Sequence, residues 1–344
     1  MRAVRIHETG GTEVLQIDQL PVPQPGPGEA LVRVKTAALN HLDIWLRNGL
    51  RGLPLPLIMG SDAAGVIEAT GADDREGEFR IGDEVILVPY RTCGSCPECL
   101  GGNENLCLKY QIAGEQIQGY QADYVVIPYA YLLKRPKRIT WEASAAFPLA
   151  YMTAWHMLHR KAGISAGQTV LAWGASSGVG SAAIQIAKLA GARVITTARD
   201  DEKAAFGTKL GADHVINYRS ENVGQRVLEL TGGDGADIVF EHVGLTSWPH
   251  SLKALRFGGK IVTCGATTGP VVRIDLRHLF IKRQQILGST MGDRQDLADL
   301  IGLIEEGKIT PVYSHVFPLE KIKEAHQILE NGNNKGKVVL TLEK

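Results

Sequence analysis

From Tyr151 onward the chain alternates short apolar runs with amphipathic segments, and that alternation has few compact solutions. Strands joined through helices must cross over, so they run parallel and are covered by helices on both faces. Thr169–Trp173 is predicted as a buried strand, Ser181–Ala190 as a helix stopped by Gly191, and Arg193–Thr197 as the next strand. His214–Ile216, Ala236–Phe240, Lys260–Cys264 and Gln285–Gly288 extend the series to six strands, enough for two mononucleotide-binding halves. Before Tyr151 the texture differs. The runs Ala30–Val34, Ala64–Glu68, Glu84–Val88 and Asp123–Ile127 are β-rich and punctuated by Pro and Gly, as in an antiparallel, barrel-like domain. Pro21, Pro23, Pro25 and Pro27 make the segment between the first strands a rigid surface connector. After Gly292 come an amphipathic helix, a strand at Val316–Leu319, a second helix and a final strand, Lys337–Leu342. A terminal strand needs a sheet to join, and we place it in the first domain. The expected organisation is a discontinuous domain of residues 1–149 and 291–344 enclosing a domain of residues 150–290.

The segment Trp173-Gly174-Ala175-Ser176-Ser177-Gly178-Val179-Gly180 follows the first of these parallel strands and opens its helix. Strand, tight turn and helix N-terminus together make an anion site suited to a pyrophosphate, whereas glycines alone would mean little. Ala175 and Ser177 stand at the first two glycine positions of the usual G-x-G-x-x-G, so this is a small-residue variant. The contacts expected there are Ala175, Ser177, Gly178, Val179 and Gly180. The end of the second strand sets the cofactor preference. An acidic residue there would accept a hydrogen bond from the ribose 2′-OH of NAD, but this chain reads Thr196-Thr197-Ala198-Arg199 with Lys203 following. Arg199 and Lys203 suit the doubly charged 2′-phosphate of NADPH better than NADH, although Asp200, Asp201 and Glu202 weaken the field.

Four of the five cysteines fall in Cys93-x2-Cys96-x2-Cys99-x7-Cys107, and Cys264 stands alone. Four thiolates in one loop suit tetrahedral Zn²⁺, and a closed four-ligand set makes that zinc structural rather than catalytic. Clustered thiols also point to a reducing, cytoplasmic compartment. The opening Met1–Glu8 lacks the apolar core of a secretory leader, and no apolar run approaches the roughly 18 residues of a membrane span. Lys+Arg and Asp+Glu are both 37, which leaves no overall field to draw nucleic acid or an anionic membrane surface.

The cysteine spacing, the turn Gly174–Gly180, the segment Asn40-His41-Leu42-Asp43 and the ending Gly336-Lys337-Val338-Val339-Leu340 together resemble the medium-chain dehydrogenase/reductase superfamily, over essentially the whole chain. The resemblance implies an α/β protein, with a GroES-like β-barrel catalytic domain plus a six-stranded parallel Rossmann domain. Zinc alcohol dehydrogenases of that superfamily hold a catalytic zinc through a Cys, a Gly-His-Glu motif and a later Cys. Here those positions match Asn40, Gly60-Ser61-Asp62 and Leu149. An unorthodox site drawn from His41, Asp43, Asp62 and His156 is the alternative. The quinone oxidoreductase (zeta-crystallin-like) branch, which lacks catalytic zinc and uses NADPH, is the better match. That match implies Asn40 at the active site, Lys203 and Tyr218 on the 2′-phosphate, Thr153 near the nicotinamide phosphate, Gly288-Ser289-Thr290 beside the nicotinamide, and Lys337 among the cofactor contacts. Trp45 stands where some members have a pocket Tyr, and many quinone reductases lack the cysteine lobe kept here.

The function expected is hydride transfer from NADPH to a small-molecule quinone or α,β-unsaturated carbonyl. Such acceptors delocalise charge and need less electrophilic help than a ketone. Asn40 is expected to donate to the reacting carbonyl. Asp43 is assigned with it to the catalytic site, as an ionised carboxylate orienting neighbours. An alcohol dehydrogenase, and a non-enzymatic NADPH sensor or RNA-binding protein, are the competing readings. The apolar edge Gln285–Gly288 is expected to pair across a two-fold axis, giving a homodimer or homotetramer.

Overall fold

The structure, a computed structural model, describes residues 1–50, 52–71 and 79–342. It divides into two units, Met1–Leu149 with Asp293–Lys344, and Ala150–Gly292.

In the second unit six parallel strands form one sheet: Thr169–Ala172, Arg193–Ala198, His214–Asn217, Ala236–Glu241, Leu255–Thr263 and Gln285–Gly288. Their spatial order is third, second, first, fourth, fifth, sixth, which is the doubly wound order of two mononucleotide-binding halves. The central strands are buried on both faces, as Val170, Leu171, Val194, Ile195, Val239 and Phe240 show, which explains their uninterrupted apolar character. The fifth strand begins earlier than its apolar run, at Leu255 rather than Lys260. Exposed Arg256 and two glycines hide its start, and its register against the fourth strand shifts between Ala236 and Ile238. Cys264 lies just beyond its end.

The first unit is organised around the 11-residue strand Glu29–Leu39. On one side it pairs antiparallel with Asp62–Thr70, and register shifts at Leu31/Val32 and Val34/Thr36 bend the pair. On the other side it carries two partners in succession. Its first half pairs with Tyr124–Pro128 and its second half with the terminal strand Lys337–Thr341. Tyr313–Pro318 then adds parallel to the terminal strand. Glu84–Leu87 and Leu132–Lys134 extend the sheet beyond Asp62–Thr70. A smaller sheet, Gln16–Gln19, Arg2–Ile6 and Leu57–Ile58, is stitched to the larger one through Ala3, Val4, Gln121 and Ala122. The core between them is aliphatic, with Val4, Ile6, Val32, Val34, Ile67, Val85, Leu87 and Leu340 all buried. Among the described residues no helix is long and apolar enough to cross a membrane.

Candidate active site

The glycine-rich turn forms a tight corner between strand and helix. Gly174 takes φ +68° directly after the first strand of the second unit, and the Ser177 hydroxyl caps the helix Gly178–Leu189 by accepting from Gly180 N at 2.9 Å. A Cβ on Gly180 would collide with the Gly174 carbonyl, so this turn can close only over a glycine. The turn is pinned to the second strand by Gly174 N on Thr197 Oγ1 (3.0 Å) and Ala175 N on Thr197 O (2.9 Å). Val179 lies in the helix's first turn. Sequence reasoning missed His242, whose Nε2 lies 3.0 Å from Trp173 O and 3.3 Å from Ser177 Oγ. Nothing in the one-dimensional pattern links the end of the fourth strand to this turn.

At the end of the second strand the structure groups Ala198, Arg199, Lys203 and Tyr218. Tyr218 N bonds Ala198 O at 3.1 Å, and the Tyr218 side chain is half exposed. Asp200 caps the helix Asp201–Lys209 by accepting from Lys203 N at 3.0 Å, and its other oxygen accepts from Arg199 Nε at 3.0 Å. The capping N–H, with the Arg199 partner, holds the Asp200 carboxyl below its ordinary range. The carboxylate therefore serves the helix and the arginine. Lys203 is largely buried along this helix. Elsewhere in the unit Thr153 is buried in the helix Pro148–Trp155. Gly288 ends the sixth strand, Ser289 N bonds Thr263 O at 2.9 Å, the Ser289 hydroxyl is buried without a partner among the described residues, and Thr290 is exposed.

In the first unit three polar side chains meet inside the sheet. Strand register puts them there: Ala38 faces Asp62, and Leu39 faces Val338, so Asn40, Asp62 and Lys337 fall side by side at the ends of adjacent strands. Lys337 Nζ donates to Asp62 Oδ2 at 2.9 Å and to Asn40 Oδ1, and Asn40 Nδ2 donates to the same Asp62 Oδ2 at 2.9 Å. Leu149 N donates to Asp62 Oδ1 at 2.8 Å. Exposure is 7% for Asn40, 0% for Asp62 and 3% for Lys337, so this ammonium–carboxylate pair is removed from water. Asp62 and Lys337 are 275 residues apart, and no sequence spacing pairs them.

Asp43 lies beneath this group, in the helix His41–Arg47. Its Oδ2 accepts from Asn40 N at 2.7 Å and fixes the strand-to-helix corner, while Oδ1 is buried without a partner among the described residues. Burial pushes its carboxyl up to about 7, against the pull of the Asn40 N–H and the nearby Lys337 charge. The expectation of an ordinary, ionised carboxylate is corrected accordingly, because complete desolvation outweighs the backbone hydrogen bonds and a cation already shared with Asp62. His41 packs edge-on against Trp45, with ring centroids 5.5 Å apart.

The four cysteines converge in their own loop, with Sγ separations of 3.4 Å (Cys96–Cys99), 3.6 Å (Cys93–Cys107) and 3.8 Å (Cys93–Cys99). Tetrahedral zinc with bonds of about 2.3 Å needs sulfurs roughly 3.8 Å apart, so the residues present fit the ion. Backbone N–H groups are aimed at the sulfurs, Cys96 N at Cys93 and Lys109 N at Cys107. Hydrogen bonds from Ser95 and Cys96 bring the Cys93 thiol down to about 5, the form that ligates metal.

These features define a dinucleotide-dependent oxidoreductase, and the comparisons with known proteins agree. Residues 178–306 match the zinc-binding dehydrogenase family model, and residues 26–137 match the alcohol dehydrogenase GroES-like domain. An acryloyl-coenzyme A reductase of Sulfurisphaera tokodaii is 32% identical over 96% of this chain and 97% of its own. A quinone oxidoreductase of Homo sapiens is 31% identical over 99% of this chain and 98% of its own. A solved structure described as an NAD-dependent alcohol dehydrogenase is 46% identical, covers 100% of both chains and superposes with a TM-score of 0.96. The chain belongs to the medium-chain dehydrogenase/reductase superfamily. It is an NAD(P)-dependent oxidoreductase, quinone reductase-like or alcohol dehydrogenase-like.

The Asp43 environment has a consequence for stability. An acid whose folded pKa lies above its unfolded value contributes fully below about pH 4, and that contribution is lost as pH rises through about 7. Asp43→Asn keeps an oxygen for the Asn40 N–H and carries no charge. Its stability in urea relative to the parent is expected to improve between pH 4 and pH 8, by roughly 2–4 kcal/mol. A difference independent of pH would contradict the assignment.

Proposed function

We propose that the enzyme reduces quinones or α,β-unsaturated carbonyls with NADPH and without a catalytic zinc. The observation that carries this reading is what fills the three positions matching zinc ligands in the alcohol dehydrogenases that the chain resembles. Asn40 and Asp62 are closed on each other and on the Lys337 ammonium, Ser61 at the histidine position donates its hydroxyl to Ala113 O, and Leu149 has no side-chain ligand atom. A leucine cannot ligate zinc, and the buried ammonium already seated on the oxygen pair repels a second cation. The residues do not fit a catalytic zinc.

When bound, the nicotinamide supplies hydride to a conjugated carbon or a quinone, and one proton completes the reduced product. The chain's part is to bind, orient and stabilise. The N–H groups at the start of the helix Gly178–Leu189 receive the pyrophosphate. Arg199, Lys203 and Tyr218 receive the 2′-phosphate. Ala198 ends the second strand without a carboxylate, and Asp200 next to it is committed to its helix and to Arg199. Thr153, Gly288, Ser289 and Thr290 receive the nicotinamide half, and Asn40 donates to the acceptor's oxygen. The relatives named for acryloyl-coenzyme A and quinone reduction support this acceptor class. A second reading, an NAD-dependent alcohol dehydrogenase, is favoured by the description of the 46% identical structure.

Cys93, Cys96, Cys99 and Cys107 would hold one structural Zn²⁺, which contributes folding energy and takes no part in hydride transfer. The thiol cluster suits a cytoplasmic location. Among the described residues the sixth strand pairs with the fifth alone, and Phe257, Leu276, Phe280 and Ile281 are exposed in the same unit. Covering that edge and those side chains with a second copy gives an even-membered homo-oligomer.

NADPH oxidation against quinones, enones, aldehydes and ketones is expected to be fast with the first two classes and insensitive to a mild chelator. Turnover confined to alcohols and aldehydes, lost on chelation and restored by zinc, would favour the second reading. Metal analysis should find one zinc per chain, absent after Cys96→Ser with Cys99→Ser; two zincs would contradict the site assignment. NADPH should bind more tightly than NADH, and Lys203→Ala should remove most of the difference, roughly tenfold or more. Equal dissociation constants in the parent would reverse the cofactor assignment.

A further inference from the structure

The triangle of Asn40, Asp62 and Lys337 does more than exclude a metal. An asparagine amide has one end that only accepts and one that only donates, and the two ends are nearly equal in size. Left alone, it can turn either end toward an acceptor's oxygen. Here its neighbours are chemically one-sided. An ammonium can only donate, and an ionised carboxylate can only accept. The arrangement with Oδ1 on Lys337 Nζ and Nδ2 on Asp62 Oδ2 sets a donor against an acceptor at every contact of the triangle. Turning the amide over would set NH₂ against ammonium and C=O against carboxylate, two repulsions in a site removed from water.

Only one of the two Asn40 amide hydrogens is used by this network. The other meets no acceptor among the described residues, and Asn40 is the most exposed member of the triangle. The backbone of Asn40 is held as well, by its N–H on Asp43 Oδ2. Asp62 is held from the far side by Leu149 N. The amide is therefore fixed in position by Asp43 and in polarity by the ion pair.

We propose that Lys337 is a positioning residue: with Asp62 it locks the polarity of the Asn40 amide, so that the unused N–H is the group presented to the oxygen of the acceptor. The catalytic part of this inference rests on the reductase reading. The lock itself is a property of the first unit alone and is testable without substrate. Lys337 is in effect a tethered cation, seated between the Asn40 and Asp62 oxygens.

The variants separate a lock from a mere packing role. Lys337→Met alone strands a buried carboxylate and should fold poorly or melt far lower. Pairing it with Asp62→Asn removes both charges, and the double variant is expected to recover most of the melting temperature, because a neutral, similarly sized pair is often tolerated in place of a buried ion pair. If the lock is real, the double variant still turns over slowly. Its kcat for an enone or quinone should stay roughly a hundredfold down with KM for NADPH unchanged, since the donor at the developing charge is no longer oriented. Recovery of kcat along with stability would overturn the proposal and leave the pair purely structural.

The substrate-free arm uses Lys337→Ala. Ammonium chloride should raise its melting temperature relative to tetramethylammonium chloride at equal concentration, while the parent shows no difference. Absence of that selectivity would show that the oxygens form no cation seat, and would overturn the lock. A parent enzyme that reduces no conjugated acceptor, with ammonium selectivity intact, would instead overturn the reductase reading and leave the lock standing.

Discussion

The buried polar triangle of the first unit depends on the register of one strand. Glu29–Leu39 pairs with Asp62–Thr70 on one side and with the terminal strand Lys337–Thr341 on the other, and the three chain segments meet at its end. A slip by one residue would turn every side chain to the opposite face. It would move Lys337 away from Asp62, leaving two unpaired charges in an aliphatic core. The cost of a buried, uncompensated charge thus enforces the same register as the burial of Val32, Val34 and Leu340. Hydrophobic patterning and the ion pair agree on one alignment.

The protein handles cation sites in two contrasting ways. In the cysteine loop, four sulfurs stand at separations that suit a tetrahedral ion, with hydrogen bonds favouring the thiolate form of Cys93. Inside the sheet, the cation is part of the chain itself. Thiolates on a short loop can adjust around a metal, whereas oxygens at the ends of two adjacent strands cannot move independently. A fixed ammonium suits a fixed oxygen set.

The second unit shows a related economy with its carboxylates. Asp200 stands one residue beyond Arg199, after the strand end where an acidic group would select NAD, yet both its oxygens are engaged by the helix it caps and by Arg199. Glu241, fully buried at the end of the fourth strand, accepts from the backbone N–H groups of Val243 and Gly244 and from the hydroxyls of Ser247 and Ser251. Such satisfied carboxylates hold the loops at the strand ends, where an open parallel sheet binds its ligand. The charge of Asp200 is met by the Arg199 cation, and that of Glu241 by neutral N–H and O–H donors.

The fold class is legible in the sequence, because alternation of apolar strands with amphipathic helices and the small-residue turn Gly174–Gly180 depend on neighbours only a few positions away. The cysteine grouping was legible for the same reason: Cys93 to Cys107 are close along the chain, so their proximity in space needs no long-range pairing. Strand limits were less legible where apolar character thins out, as at Leu255–Gly259, since pairing across the sheet extends a strand past its hydrophobic run. The sequence singled out Asn40, Asp43 and Lys337 separately and assigned them different roles. That Lys337 closes on Asp62, that the pair fixes the Asn40 amide, and that burial raises the Asp43 carboxyl were decided only by tertiary structure. Those facts depend on which strands lie side by side and on how completely water is excluded, and neither is encoded in the local spacing of any residue.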